Sequence, residues 1–242
     1  MNKGGGPFVN ARGRVAAVAL NQQTGPAYTS LAEFDPPGGR VTNLGLYDQW
    51  FYGNATPGLN ALGPPPQHMI DRVKEEGRLI GALAGKAQHA ERHVAAGVDL
   101  IIAQGAEAGG HTGEVGTMVL IPEIVDAVAP VPVLGAGGIG RGRQMAAAMA
   151  LGAAGVWCGS VWLTTDEAET HPVVKQKFLA ATSSDTLRSR SLTGKPARQL
   201  RSAWTDEWDD PANPRPLPMP LQPILVGQAR ARIDRAAYRP GS

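Results

Sequence analysis

Short apolar runs and amphipathic stretches alternate along most of this chain. "RLIGALAG" (78–85), "VDLIIAQG" (98–105), "VPVLGAGG" (131–138) and "AAGVWCGS" (153–160) are nearly continuous apolar blocks. They have the length and composition of strands buried on both faces. Between them, "KAQHAERHVAAG" (86–97), "TMVLIPEIVDAVA" (117–129) and "RGRQMAAAMALG" (141–152) read as helices. Pro122 places the start of the second of these near itself, because proline suits a first turn and not a helix interior. Upstream, "PPPQHMIDRVKEEG" (64–77) is a helix opened by prolines and closed at Gly77. This rhythm predicts a parallel sheet with helical crossovers, an α/β fold. With "GLNAL" (58–62) counted, about five strands fall between residues 59 and 160.

Two other regions break the rhythm. Residues 1–58 are patchy ("NKGGG", "DPPGG", "NATPG") and hold two short apolar runs, 15–20 and 41–47, either of which fits a strand. The chain therefore divides into an atypical segment, 1–58, and a core, 59–242. From about residue 165 the pattern changes again. "SLTGKPARQLRSAWTDEWDDP" (191–211) reads as a polar helix with loops, and "PANPRPLPMPLQP" (211–223) as an extended proline-rich run.

Composition narrows the function classes. A net charge of +2 gives no reason to expect nucleic acid or an anionic membrane as a partner. The single cysteine, Cys158, excludes an internal disulfide and a cysteine-rich zinc site, and fits a reducing cytoplasm. The opening residues lack the apolar core of a secretory signal, and no run of about 18 apolar residues spans a membrane.

Two loops carry candidate chemistry. "VPVLGAGGIGRG" spells G-x-G-x-x-G at Gly135, Gly137 and Gly140 after an apolar run. A dinucleotide fold wants that motif on its first βα turn, with an acidic residue at the end of the next strand. Here the motif lies past mid-chain and the next strand ends in Trp157, Cys158, Gly159 and Ser160, without a carboxylate. A (β/α)8 barrel instead binds phosphate between loops after its last strands. Gly137, Gly138, Gly159 and Ser160 would then face one phosphate; the competing reading is that these glycines only permit tight turns. The second loop, "AQGAEAGGHTGEVGT" (103–117), delivers His111 on adjacent glycines, where an imidazole can donate to or take a proton from a substrate. Glu107 and Glu114 are its nearby carboxylates, either partners or solvated. No third metal ligand is evident, so no metal is expected. His89 and His93 share a helix face read as solvated, His68 and His171 lie near element starts, and Cys158 reads as a packing residue.

In order and spacing together, "AQGAEAGGHTGEVGTMVLIPEIVDAV" followed by "VPVLGAGGIGRGRQMAAAMALGAAGVWCGS" resembles the nitronate monooxygenase (2-nitropropane dioxygenase) family. The likeness runs from about residue 62 to 225 and includes "ATSSDTLRSRSLTGKPARQL" (181–200). The resemblance implies an FMN-binding TIM barrel that oxidises alkyl nitronates with O2. It implies that Gln104 and Gly109 contact the flavin, that Gly137 and Gly138 hold its phosphate, that Trp157, Cys158, Gly159 and Ser160 complete the site, and that His111 is catalytic. Ser160 stands where the family commonly has threonine. The same loops resemble flavin-dependent enoyl-thioester reductases that use NAD(P)H, and Lys195, Arg198 and Arg201 would suit an anionic thioester such as an acyl-CoA; a solvated basic face is the simpler reading. The first three barrel strands are not recognisable in residues 1–58, so the barrel is expected to be incomplete. A non-catalytic truncated relative is then a third reading, and a homodimer is one way to cover the open sheet edge.

Overall fold

In the computed structural model, residues 5–9, 15–21, 28–34, 41–43, 66–75 and 79–237 are described. The chain divides into two compact units: residues 1–107 with 113–169, and residues 108–112 with 170–242.

The first unit contains two sheets. Strands β1 (Gly5–Val9), β2 (Val15–Asn21), β3 (Tyr28–Phe34) and β4 (Val41–Asn43) form an antiparallel sheet in that order. Both apolar runs noted in residues 1–58 are strands, although 44–47 lie outside the described residues. An antiparallel meander has no helical crossovers, so this segment does not repeat the βα rhythm. After α1 (Gln67–Glu75) come β5 (Gly81–Ala84), α2 (Ala87–Ala95) and β6 (Leu100–Gln104). Then, after β7 (Gly110–His111) of the second unit, follow α3 (Thr117–Val128), β8 (Val133–Ala136), α4 (Gly142–Ala150) and β9 (Gly155–Trp157). Strands β5, β6, β8 and β9 form the expected parallel sheet, each beside the next in sequence. Four strands are half of the eight in a closed barrel. "GLNAL" and the Gly77 cap fall outside the described residues.

Strand order decides between the two readings of the glycine motif. A doubly wound sheet reverses direction and binds its ligand at the switch point. The order β5-β6-β8-β9 has no reversal, which is the barrel arrangement. Both sheet faces are buried. Ala82, Ala84, Ile101, Ala103, Val133 and Val156 join Met69 and Ile70 of α1, Ala90 of α2, Leu120, Ile121, Ile124 and Val128 of α3, and Ala148 of α4 in one core. Ile102 and Leu134, pointing the opposite way along their strands, are buried too. Each of the larger side chains contributes about 1.5–3 kcal/mol by leaving water.

Helix α3 begins five residues before Pro122 rather than at it. Thr117, Leu120, Ile121, Ile124 and Val128 bury one continuous stripe, and packing it outweighs the one backbone hydrogen bond that proline removes. His93 corrects a second expectation. It is only 2% exposed, and its ring Nε2 lies 3.1 Å from the Leu83 carbonyl, to which it donates. The helix face read as solvated turns this residue toward β5.

The second unit holds an antiparallel sheet ordered β10 (Thr186–Ser189), β11 (Ala197–Leu200) and β7. Helices α5 (Pro172–Ala180), α6 (Ala203–Asp209) and α7 (Leu221–Ala237) accompany it. The stretch read as a polar helix with loops holds that helix as α6 and, before it, the strand β11. Ala197, Arg198, Gln199 and Leu200 are all good helix formers; pairing with β10 makes them a strand. The proline-rich run lacks regular structure over 214–218 and then enters α7. His171 caps α5, its Nδ1 accepting from the Val173 N–H.

Burial lowers the pKa of His93, with the positive charge on His89 acting in the same direction and the Leu83 hydrogen bond opposing. A neutral buried histidine stabilises the fold above its unfolded value, near pH 6.5, and that stability is lost as pH falls through the lower folded value. The thermal midpoint is expected to drop between pH 7.5 and pH 5, and His93→Gln to narrow that drop. An equal drop in both proteins would remove His93 from the account.

Candidate functional site

The parallel register assembles most of the candidate residues. Gln104 pairs with Ala136, and Ala136 with Trp157. These three positions lie abreast at the C-terminal edge of the sheet. The loops that follow β8 and β9 therefore leave neighbouring strands at one level. That places Gly137 and Gly138 beside Cys158, Gly159 and Ser160, with Gln104 in the next strand. The Gly105 N–H donates to the Ala136 carbonyl, extending the row by one residue.

The glycines of the motif do different things. Gly135 lies inside β8, where an added Cβ would meet Ile121 Cδ1 at 2.7 Å and Ala148 Cβ at 3.3 Å. Its lack of a side chain lets α3 and α4 pack on the sheet. Gly137 and Gly138 have φ of 111° and 69°, which glycine adopts without a steric penalty. A Cβ on Gly138 would also sit 3.0 Å from Glu107 Cβ. Gly140 donates its N–H to Gln144 Oε1 (2.9 Å), while Gln144 Nε2 donates to the Gly138 carbonyl (2.8 Å). One side chain at the start of α4 thus clamps both ends of the turn.

Glu107 is not a partner of His111. Its Oε2 accepts from the Thr117 N–H and from Thr117 Oγ1, both at 2.8 Å. A carboxylate on the first N–H of α3 suits the helix dipole. Thr117 Oγ1 also lies 3.0 Å from the Gly137 carbonyl, an alternative acceptor for its one hydrogen, so the helix start abuts the glycine loop. Thr117 approaches Gly105 so closely that any Cβ there would collide with its hydroxyl and backbone. Cys158 is half-buried against the core, and burial raises its pKa. A thiol held in that state packs and is a poor nucleophile.

Gly109 and His111 belong to the second unit. His111 sits on β7, opposite Ala197 of β11. Its Nε2 lies 2.7 Å from Thr193 Oγ1. Burial lowers its pKa, and the Lys195 charge lowers it further. The imidazole is therefore neutral near pH 7, fit to accept a proton. Of the three cations considered for an anionic substrate, Arg201 is engaged with Asp206 (2.7 Å) and Arg198 donates to Thr186 Oγ1 (2.9 Å).

Thr117, Gln144 and Thr193 were missed by the sequence reading. Thr117 and Gln144 had a readable signal, since each stands in the first turn of a helix next to a glycine loop. Thr193 had none, because it lies 82 residues from His111.

Thr117→Val keeps the shape and removes the hydroxyl. It is expected to cost roughly 1–3 kcal/mol in urea unfolding, the range for losing buried bonds that include one to a charged group. Thr117→Ser should lose distinctly less; equal losses would mean that shape, not hydrogen bonding, holds the helix start.

Comparison with known proteins gives a consistent picture. Residues 59–240 match the family model described as nitronate monooxygenase. A Mycobacterium tuberculosis protein, provisionally named as a monooxygenase, is 72% identical over 183 residues, covering 76% of this chain and 49% of that protein. A Rhodococcus jostii protein named as an indene-carboxyl-CoA dehydrogenase is 40% identical over 153 residues, 63% of this chain and 43% of its own length. Among solved structures, a nitroalkane oxidase from Streptomyces ansochromogenes superposes with a TM-score of 0.66 at 33% identity, over 73% of this chain and 53% of that one. The chain thus spans about half the length of these relatives.

Proposed function

The chain belongs to the nitronate monooxygenase family, and from that premise we propose that it is a flavin-dependent oxidoreductase that holds FMN and oxidises alkyl nitronates with O2. The observation that carries the proposal is the register Gln104–Ala136–Trp157. It sets two glycine loops abreast at the end of the sheet where (β/α) enzymes bind phosphate. The residues present fit such a group: positive φ at Gly137 and Gly138 opens the backbone to an anion, and around Gly159 an added Cβ would meet nothing within 4 Å.

In this reading Gly137, Gly138, Gly159 and Ser160 hold the phosphate through backbone N–H groups and the serine hydroxyl. Gln104, Gly109 and Trp157 contact the flavin, and Cys158 packs beneath the turn. When bound, FMN supplies the electron transfer between nitronate and O2. His111 binds the nitro group and takes a proton, a role its lowered pKa supports. The core of this activity is residues 59–242, with 1–58 a separate segment; the extent of the family match supports that division. Cytoplasmic residence and a homodimer complete the proposal. The single cysteine supports the first, and a parallel sheet of four strands instead of a closed barrel among the described residues supports the second. Among the described residues no helix is long and apolar enough to cross a membrane.

A second reading, NAD(P)H-driven reduction of an enoyl thioester, draws on the relative named for a CoA substrate. The pairing of Arg198 and Arg201 counts against a ready acyl-CoA site.

The purified chain is expected to retain flavin absorption after desalting with FMN, and to turn over a nitronate with O2. His111→Ala should keep the flavin and lose turnover by about 10²–10⁴-fold, the usual range for a general acid or base. Gly138→Asp should lose the flavin, because its Cβ crowds Glu107 and its charge opposes the phosphate. A colourless wild-type protein would make the chain a non-catalytic relative, and NAD(P)H-driven enoyl reduction without nitronate turnover would select the second reading.

A further inference from the structure

We propose that Thr193 is a positioning residue for His111, fixing the imidazole as its Nε2–H tautomer so that Nδ1 is the nitrogen presented for chemistry. The proposal rests on His111 being the substrate-facing histidine, and the tautomer is assigned as the one that satisfies every contact of the Thr193 hydroxyl.

A threonine hydroxyl has one hydrogen and two lone pairs. Thr193 Oγ1 has three neighbours: His111 Nε2 at 2.7 Å, the Lys195 carbonyl at 3.3 Å and the Lys195 N–H at 3.4 Å. The Lys195 carbonyl can only accept, so it is satisfied only when the hydroxyl hydrogen points to it. The Lys195 N–H can only donate, so it occupies one lone pair. The remaining lone pair can meet His111 only as an acceptor. The arrangement that satisfies all three contacts therefore puts the hydrogen on Nε2, and in the neutral ring Nδ1 carries the lone pair. Among the described residues, no hydrogen bond engages Nδ1.

The backbone on both sides of this contact is fixed. His111 is held opposite Ala197 by strand pairing, and the Thr112 N–H donates to the Pro196 carbonyl. The turn that carries Thr193 is closed by the Gly194 N–H donating to the Arg190 carbonyl at 2.8 Å. Gly194 has φ of 80°, and a Cβ on it would strike the Leu217 carbonyl. The hydroxyl therefore cannot drift away from the ring by a change of turn. Burial supports the neutral form that makes the choice of tautomer matter.

The tautomer is read directly by long-range ¹H–¹⁵N correlation on the full chain labelled at histidine nitrogens, with the His111 signals assigned by their loss in His111→Ala. The wild type and Thr193→Ser are expected to show the Nε2–H form, and Thr193→Val a mixture or the Nδ1–H form. Signals of His68, His89, His93 and His171 that stay in place in Thr193→Val would show that its fold is intact. An Nδ1–H ring in the wild type, or an unchanged ring in a folded Thr193→Val, overturns the proposal. If Thr193→Val does not fold, the wild type and the serine variant decide it. None of these readings needs flavin or turnover, so a chain that fails as an enzyme leaves them standing. In an active chain, Thr193→Ser should restore most of the turnover that Thr193→Val loses, a loss of roughly tenfold or more for a misdirected acid or base.

Discussion

The approach of Thr117 to Gly105 is the constraint on which the rest of the first unit depends. No side chain fits at residue 105 because the hydroxyl and backbone of Thr117 occupy its place. That contact seats the N-terminus of α3 directly against the end of β6. From there the Thr117 N–H donates to Glu107 while its hydroxyl lies 3.0 Å from the Gly137 carbonyl. Two strand ends, a helix start and the glycine loop thereby meet at one residue. The buried stripe from Leu120 to Val128 extends the same seating along the whole helix, which is why Pro122 is tolerated within it.

This meeting point explains why one glycine motif contains several kinds of glycine. Gly135 serves helix packing, Gly137 and Gly138 serve backbone conformation, and Gly140 serves a hydrogen bond to Gln144. Only the middle pair lies at the sheet's edge facing the next loop. A string of letters cannot separate these roles, because each is set by what stands across from the residue. The same is true of the histidines. His93 is buried against β5, His171 caps a helix and His111 meets a threonine, although all three stand in locally polar sequence.

Charge is distributed to match. Carboxylates take up helix starts and exposed cations: Glu107 at α3, Asp185 at the turn before β10, and Asp206 against Arg201. The Asp185 carboxyl accepts from the Thr182 N–H and hydroxyl, which lowers its pKa. The groups with raised chemical interest, His111 and Cys158, are instead moved toward their neutral forms by burial. The neutral imidazole is the one suited to taking a proton, and the neutral thiol is the one suited to packing.

From the sequence come four of the five strands read there, "GLNAL" lying outside the described residues, with the helices between them, the two chemistry-bearing loops and the family. Each is written in short-range features: apolar runs of strand length, helical periodicity, and glycines and a histidine at set spacing. Tertiary structure alone decided which residues stand abreast at the sheet's edge, that α3 starts before its proline, that His93 turns inward, and that 197–200 is a strand. Each of these depends on a partner distant in the chain: α3's stripe on the sheet, His93 on Leu83, and β11 on both β10 and β7. The pairing of His111 with Thr193 is the extreme case, since a hydrogen bond across 82 residues leaves no periodicity to read.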